Sequence, residues 1–181
     1  MVGRAVKVPT VEEIDGLFKK LTDHAKDEKW AEIDREITPT IKEWSNAVYA
    51  DGKLTTPEAR QMWKRGYMLL SHASPYVRDA AATVFSRHTV RETALRKMLL
   101  QKLFLLAEKD KDADVRFSAV LAVVNHIGQS PDHDRLIADN HATLKRALSI
   151  GHELLKRVKE STEFKLDEVK AKEEKRRGGQ A

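Results

Sequence analysis

The sequence predicts an all-α protein built from stacked helical hairpins. Three observations lead there. One pattern occurs twice. The first copy is Ser74-Pro75-Tyr76-Val77-Arg78-Asp79-Ala80-Ala81, followed by Phe85 and His88. The second is Asp112-Ala113-Asp114-Val115-Arg116-Phe117-Ser118-Ala119, followed by Val123 and His126. From Ser74 to Asp112 is 38 positions, a period typical of stacked helical units. Apolar residues also recur at steps of three and four along most of the chain. Finally, helix-start signals punctuate it: Thr10 with Glu13, Thr56-Pro57-Glu58, Ser74-Pro75 and Ser130-Pro131.

Taken in order, residues 1–9 read as a short flexible arm. Thr10 and Glu13 form a capping box for a first helix with Ile14, Leu17, Phe18, Leu21 and Ala25 on one face. Gly16 inside that helix points to close packing, since it costs about 1 kcal/mol relative to alanine. A second helix starts near Asp27 and carries Trp30, Ile33, Ile37, Ile41, Trp44 and Val48. Pro39 should kink or break it, with Thr38 capping a new helix. Asp51-Gly52 is a stop signal. The loop Tyr49–Thr55 lacks the alternating carboxylates of a calcium site.

Ala59, Met62, Trp63, Gly66, Tyr67 and Leu70 form the stripe of the next helix. Thr89 and Glu92 make a second capping box. The helix after it, from Leu95 to Ala107, is apolar nearly all round and should be sandwiched at the centre of the core. A third unit starts at Ser130-Pro131. From Leu144 a stripe runs through Leu148, Gly151, Leu155, Val158, Thr162 and Val169 at heptad spacing, broken by Lys165 and properly apolar only in its first part. This predicts a long final helix that packs on the stack and then protrudes, with a coiled-coil dimer as a second reading.

In each copy of the repeat a cap residue is followed by Val-Arg, then by Ala three residues after the Arg, with an apolar stripe behind. Val77, Ala81, Val84 and Phe85 make that stripe in one copy; Val115, Ala119, Ala122, Val123 and Ile127 make it in the other. Arg78 and Arg116 lie in the first turn, where the helix dipole disfavours a cation, so each needs an acidic partner such as Asp112 or Asp114. This pattern resembles the second helix of HEAT-type repeats, at Ser74–His88 and Asp112–Gly128. With the preceding helices the resemblance covers roughly residues 56–128. It implies a short right-handed superhelical stack of antiparallel helix pairs, an α-solenoid of seven or eight helices, with a concave partner-binding surface. It also implies that Arg78 and Arg116 are structural. The domain reading is then an arm at 1–9, one HEAT-like domain at 10–160, and a charged helical extension with a disordered end at 161–181.

Composition narrows the function. With 181 residues one domain is the default. There is no cysteine, so neither a disulfide nor a thiolate metal site is possible. No apolar run reaches the ~20 residues of a membrane span. The reading is an intracellular, cytoplasmic protein. Net charge is +5, with 33 basic residues against 28 acidic ones, and the basic residues are not concentrated in any segment. No phosphate-binding glycine loop, nucleophile elbow or His-Glu-x-x-His motif occurs, and no cofactor or metal is implied. His88 and His126 stand at equivalent helix ends and read as capping residues.

The expected function is therefore a non-catalytic interaction module that binds a protein partner in a helical-repeat groove. Candidate groove residues are Arg87 and Asn125, with Lys145, Arg146 and His152 as neighbours from the third unit. The alternative is a nucleic-acid-binding protein whose phosphate contacts come from a stripe. It would include Arg87, Arg91, Arg96, Lys97 and Lys102, then Lys145, Arg146, Lys156, Arg157 and Lys159. A HEAT-like DNA glycosylase ranks third, since Trp30, Trp44 and Trp63 all lie on apolar stripes and read as core. A buried carboxylate beside an exposed tryptophan would favour it.

Overall fold

The computed structural model describes residues 7–49, 54–86, 90–125, 131–149 and 156–179. Among them every regular element is helical. The elements are α1 (Val11–Lys26), α2 (Trp30–Glu32), a π-helical turn (Ile33–Ile37), α3 (Thr38–Val48), α4 (Pro57–Leu69), α5 (Pro75–Phe85), α6 (Thr93–Lys109), α7 (Ala113–Asn125), α8 (Pro131–Asp139), α9 (His141–Ser149) and α10 (Lys156–Gly178). Leaving aside the three-residue α2, these are nine helices among the described residues, more than the seven or eight expected. No helix among them is long and apolar enough to cross a membrane.

Local chemistry explains most of the starts. Thr10 Oγ1 accepts the Glu13 amide at 3.2 Å, and the Glu13 carboxylate accepts the Thr10 amide at 2.7 Å, which closes the capping box of α1. Thr56 Oγ1 accepts the Ala59 amide at 3.1 Å, with Pro57 in the first turn of α4. Asp112 Oδ1 accepts the Asp114 and Val115 amides at 3.0 and 3.1 Å and caps α7.

Other local expectations are corrected. The backbone does not break at Pro39. Thr38 is helical, and its N–H reaches back to Ile33 O, one residue further than in an α-helix. The π turn widens the backbone just before the proline ring, so Trp30 to Val48 runs on past a residue with no N–H. Ser74 precedes α5, but its Oγ makes no capping bond and is buried without a partner. Glu92 is not the third residue of a capping box. It is itself the residue before α6, and its carboxylate accepts the Leu54 amide at 2.9 Å. Thr89, His88, His126 and Ile127 lie outside the described residues.

One apolar core runs through the molecule. α4 packs on α5, α6 on α7, and α5 lies beside α7; α1 covers α4 and α3 flanks α5. Gly66 sets the approach of α4 to α5: a Cβ there would lie 3.1 Å from Phe85 Cζ and Val84 Cγ1. Gly16 behaves differently. A Cβ on it would meet nothing within 4 Å, so the close packing expected there is absent. The expectation that α6 is sandwiched on all sides is also corrected. Leu99, Leu100, Leu103, Leu106 and Ala107 are buried, but Met98 and Leu105 are 45% and 55% exposed. α7 and α9 pack on it, and Lys102 of α6 reaches over the Tyr67 ring of α4.

The C-terminal stripe is not one helix. α9 ends at Ser149 and α10 begins at Lys156; residues 150–155, with His152, lie outside the described residues. α10 packs along both α8 and α9. Asp167 on α10 pairs with His141 at 2.7 Å and Lys145 at 3.2 Å on α9. Lys172 and Arg176 pair with the buried Asp134 on α8 at 3.2 and 3.3 Å, and Arg177 with Asp139 at 2.8 Å. Leu144, Leu148, Thr162 and Val169 are buried inside the chain. Those four positions of the stripe are spent on intramolecular packing, Val158 is 43% exposed, Gly151 and Leu155 lie outside the described residues, and α10, which holds residues 161–178, is docked on α8 and α9.

Arg78 and Arg116 converge on one residue, and it is neither Asp112 nor Asp114. Arg78 forks onto Asp110 at 2.7 and 2.8 Å and donates to the carbonyls of His72 and Ala73 at 2.8 and 2.7 Å. Arg116 donates to the Asp110 carbonyl at 2.6 Å. The side chains of Arg78 and Asp110 are 15% and 4% exposed, so this is an enclosed, bidentate pair.

Candidate binding groove

The buried stripe of α5 (Val77, Ala80, Ala81, Val84, Phe85) leaves another face of the helix for Tyr76, Asp79, Thr83 and Ser86. These four recur at steps of three and four, as one helix face requires. On α7, Asp114, Phe117, Ser118, Leu121 and Asn125 form the neighbouring stripe. Where the two stripes meet, a groove opens. Its larger cavity, about 410 Å³, runs from Asp79 and Thr83 past Phe117 and Leu121 to Asn125. Lys42 on α3 and Val158 on α10 close its sides. A smaller cavity of about 90 Å³ adjoins it, lined by Asp34, Pro75, Tyr76, Asp79, Asp112 and Asp114. Asp79 and Asp114 line both.

Asp79 is the unusual group. The residue keeps some exposed surface, yet its Oδ1 is closed off from solvent and accepts no hydrogen bond. Burial pushes its carboxyl up to about 6, and the carboxylates of Asp114, Asp34 and Asp112 push the same way; a hydrogen bond with Ser118 acts against them. Beside it, Tyr76 stacks on Trp30 with ring centroids 4.4 Å apart and planes inclined by 12°. Among the described residues no cluster of His, Asp or Glu is arranged to hold a metal ion.

A second cleft, about 420 Å³, lies between α1 and α4 and is floored by Gly16, Phe18, Met68 and Leu69. Its main polar feature is Asp15, already engaged by Arg65 at 2.6 Å and by Gln61. None of its lining residues holds a buried polar atom without a partner, whereas Asp79 does, so the α5–α7 groove is the stronger candidate.

The residues named from sequence scatter. Asn125 lines the groove and also a small cleft with Lys165 and Glu168 of α10. Lys145 faces α10 through Asp167, and Arg146 donates to Thr143 on its own helix at 3.1 Å. Arg87 and His152 fall outside the described residues. The basic stripe is also broken up. Arg96 is buried, Lys102 sits 4.6 Å above the Tyr67 ring, and Lys159 donates to the Ser149 carbonyl. Trp30, Trp44 and Trp63 are partly buried against the core, and Trp63 stacks on Tyr67.

Sequence reasoning missed Asp79 while reading the Val-Arg-Asp-Ala-Ala stretch for its core. A signal was present. Stepping the 38-residue offset back from Asn125, Leu121, Phe117 and Asp114 lands on Arg87, Thr83, Asp79 and Tyr76. Arg87 and Asn125 were therefore named from the last step of the very stripe that holds Asp79.

No protein-family model matches the chain, and no curated protein or solved structure matches it either.

Proposed function

We propose that this chain is a non-catalytic interaction module of the HEAT-like kind, a short right-handed stack whose groove between α5 and α7 binds a segment of a partner protein. The observation that carries this reading is the groove itself. It combines an apolar floor, Phe117 and Leu121, with convergent polar groups, Asp79, Thr83, Ser118 and Asn125. That mixture suits a peptide, which needs an apolar anchor and a few oriented hydrogen bonds. The docking of α6 onto α7 and α4 onto α5, with α5 beside α7, supports the helix-pair architecture. The arginine links through Asp110 support it as well.

The nucleic-acid reading has less support. Of its basic residues Arg96 is buried, Lys102 stands over Tyr67 and Lys145 is paired with Asp167, while Arg91, Lys97, Lys156 and Arg157 are exposed; the groove carries Asp34, Asp79, Asp112 and Asp114, which repel phosphate. The glycosylase reading shares that difficulty. Its buried carboxylate is present in Asp79, but Trp30 is packed on the core and on Tyr76 rather than offered to a base.

The test is selection of peptides from a random display library on the folded chain. Selected peptides are expected to slow amide exchange over residues 76–86 and 114–125 and to lose binding to Thr83→Arg, which fills the groove. Peptides that protect other surfaces, or that bind Thr83→Arg as well as the wild type, would overturn the reading.

A further inference from the structure

We infer that the point where the two cavities meet is a pocket for a cationic side chain, arginine ahead of lysine, presented by the bound segment; this rests on the groove reading above. Four aspartates line the smaller cavity, from the π turn (Asp34), α5 (Asp79), and the first turn of α7 and the residue capping it (Asp114 and Asp112), with no cation among its lining residues. Lys42 of α3 lines the larger cavity and not this one. The charge of the site therefore calls for a positive guest.

Clustered acids alone do not make a site; Asp79 adds the second observation. Its Oδ1 is shut off from water and accepts no hydrogen bond, and the residue lines both cavities. An enclosed acceptor without a donor is costly, and a guest N–H removes that cost. Tyr76 supplies a third feature. It lines the same cavity, and its ring is held in place by stacking on Trp30. A fixed aromatic face beside carboxylates attracts a flat, weakly hydrated cation. Guanidinium fits that description better than ammonium.

The size agrees. The cavity, about 90 Å³ against about 410 Å³ for its neighbour, has the scale of one side-chain head group. A bare metal ion fits less well, because the described acids are not gathered closely enough to ligate one. Entry of the cation also settles the protonation of Asp79. The bound state holds it as carboxylate, so any proton it carries is released to solvent on binding, and affinity falls as the pH drops below about 6. Asp34, Asp112 and Asp114 surround that group, and Ser118 hydrogen-bonds it.

The experiment uses the full chain and three fluorescein-labelled peptides in which glycine alternates with arginine, lysine or citrulline, the neutral isostere of arginine. Anisotropy is measured at pH 7.5 and pH 5. The arginine peptide is expected to bind most tightly, with the citrulline peptide weaker by about tenfold or more, the scale of an enclosed charge pair losing one partner. Asp79→Asn should bring the arginine peptide down to the citrulline level, while Glu108→Gln, an exposed acid on α6, leaves it unchanged. Equal binding of arginine and citrulline peptides overturns the inference. So does equal weakening by Asp79→Asn and Glu108→Gln, which marks diffuse attraction. If uncharged library peptides still occupy the groove in Asp79→Asn, the groove reading stands and the cationic pocket falls. If no peptide of any composition binds, both fall.

Discussion

Replacing Asp79 by asparagine should make the protein more stable at neutral pH. In the unfolded chain an aspartate titrates near 3.9. In the folded chain Asp79 titrates at about 6, because it is buried among other acids. Between those values the folded chain keeps a proton that the unfolded chain has given up. Stability from this group is therefore greatest below about pH 4, declines as pH rises to 6, and stays lower above that. About two pKa units correspond to about 3 kcal/mol at 1.36 kcal/mol each, and relaxation and water entry reduce this to about 1–3 kcal/mol. Asparagine has nearly the same shape and never ionises. The assay is urea unfolding of wild type and Asp79→Asn at pH 4 and pH 7.5. The two should be nearly equal at pH 4. At pH 7.5 the variant should lead by about 1–3 kcal/mol, or about 3–9 °C in Tm for a chain of this size. A difference that does not change with pH, or a variant less stable at pH 7.5, would refute the claim that Asp79 is enclosed.

Other outcomes follow from the same packing. Asp110→Ala strands the enclosed Arg78 guanidinium and should cost about 3–5 kcal/mol in urea unfolding, whereas Lys102→Ala, which removes a half-open cation above Tyr67, should cost under about 1 kcal/mol. The Asp110 link should also fail in acid. Burial raises that carboxyl, but the hydrogen bonds and charge of Arg78 outweigh burial and hold it below the usual range, so its stabilisation is present above about pH 4 and lost as pH falls further. The two helical glycines should respond with opposite signs by thermal melting: Gly66→Ala crowds Phe85 and Val84 and should destabilise by about 1–3 kcal/mol, while Gly16→Ala meets open space and should stabilise by about 0.5–1 kcal/mol. Fluorescence anisotropy with short single- and double-stranded nucleic acids at two salt concentrations should show no tight, steeply salt-dependent binding; micromolar affinity that Arg146→Glu and Arg157→Glu abolish would move phosphate recognition ahead of peptide binding.

The helices themselves were legible because their signals are local. Thr10 with Glu13, Thr56 before Pro57, and Asp112 before Ala113 act within one turn, and each forms the expected bonds. Local signals failed where a distant group or a neighbouring turn took part. Glu92 was read as half of a capping box, yet it is used by Leu54, 38 residues away. Pro39 reads as a kink or a break, because the pattern of apolar residues does not reveal that a π turn can carry the helix past it. In the heptad stripe Leu144, Leu148, Thr162 and Val169 are buried, but spacing does not state whether their partner is another chain or the chain's own helices.

By itself, then, the sequence determined the all-helical class, most helix starts, the buried faces of α5 and α7, and the absence of thiol chemistry, all of which depend on residue type and on neighbours within a turn or two. Only the tertiary structure decided that Arg78 and Arg116 share Asp110, that α10 folds back over α8 and α9, and that Asp79 is enclosed beside three other acids. The physical reason is sequence separation. The Arg78–Asp110 pair spans 32 residues, and Asp34 meets Asp79 and Asp114 at one small cavity only because the π turn, α5 and α7 are packed together. A carboxyl group's solvation and charge environment belong to that packing, and no stretch of the chain read alone contains them.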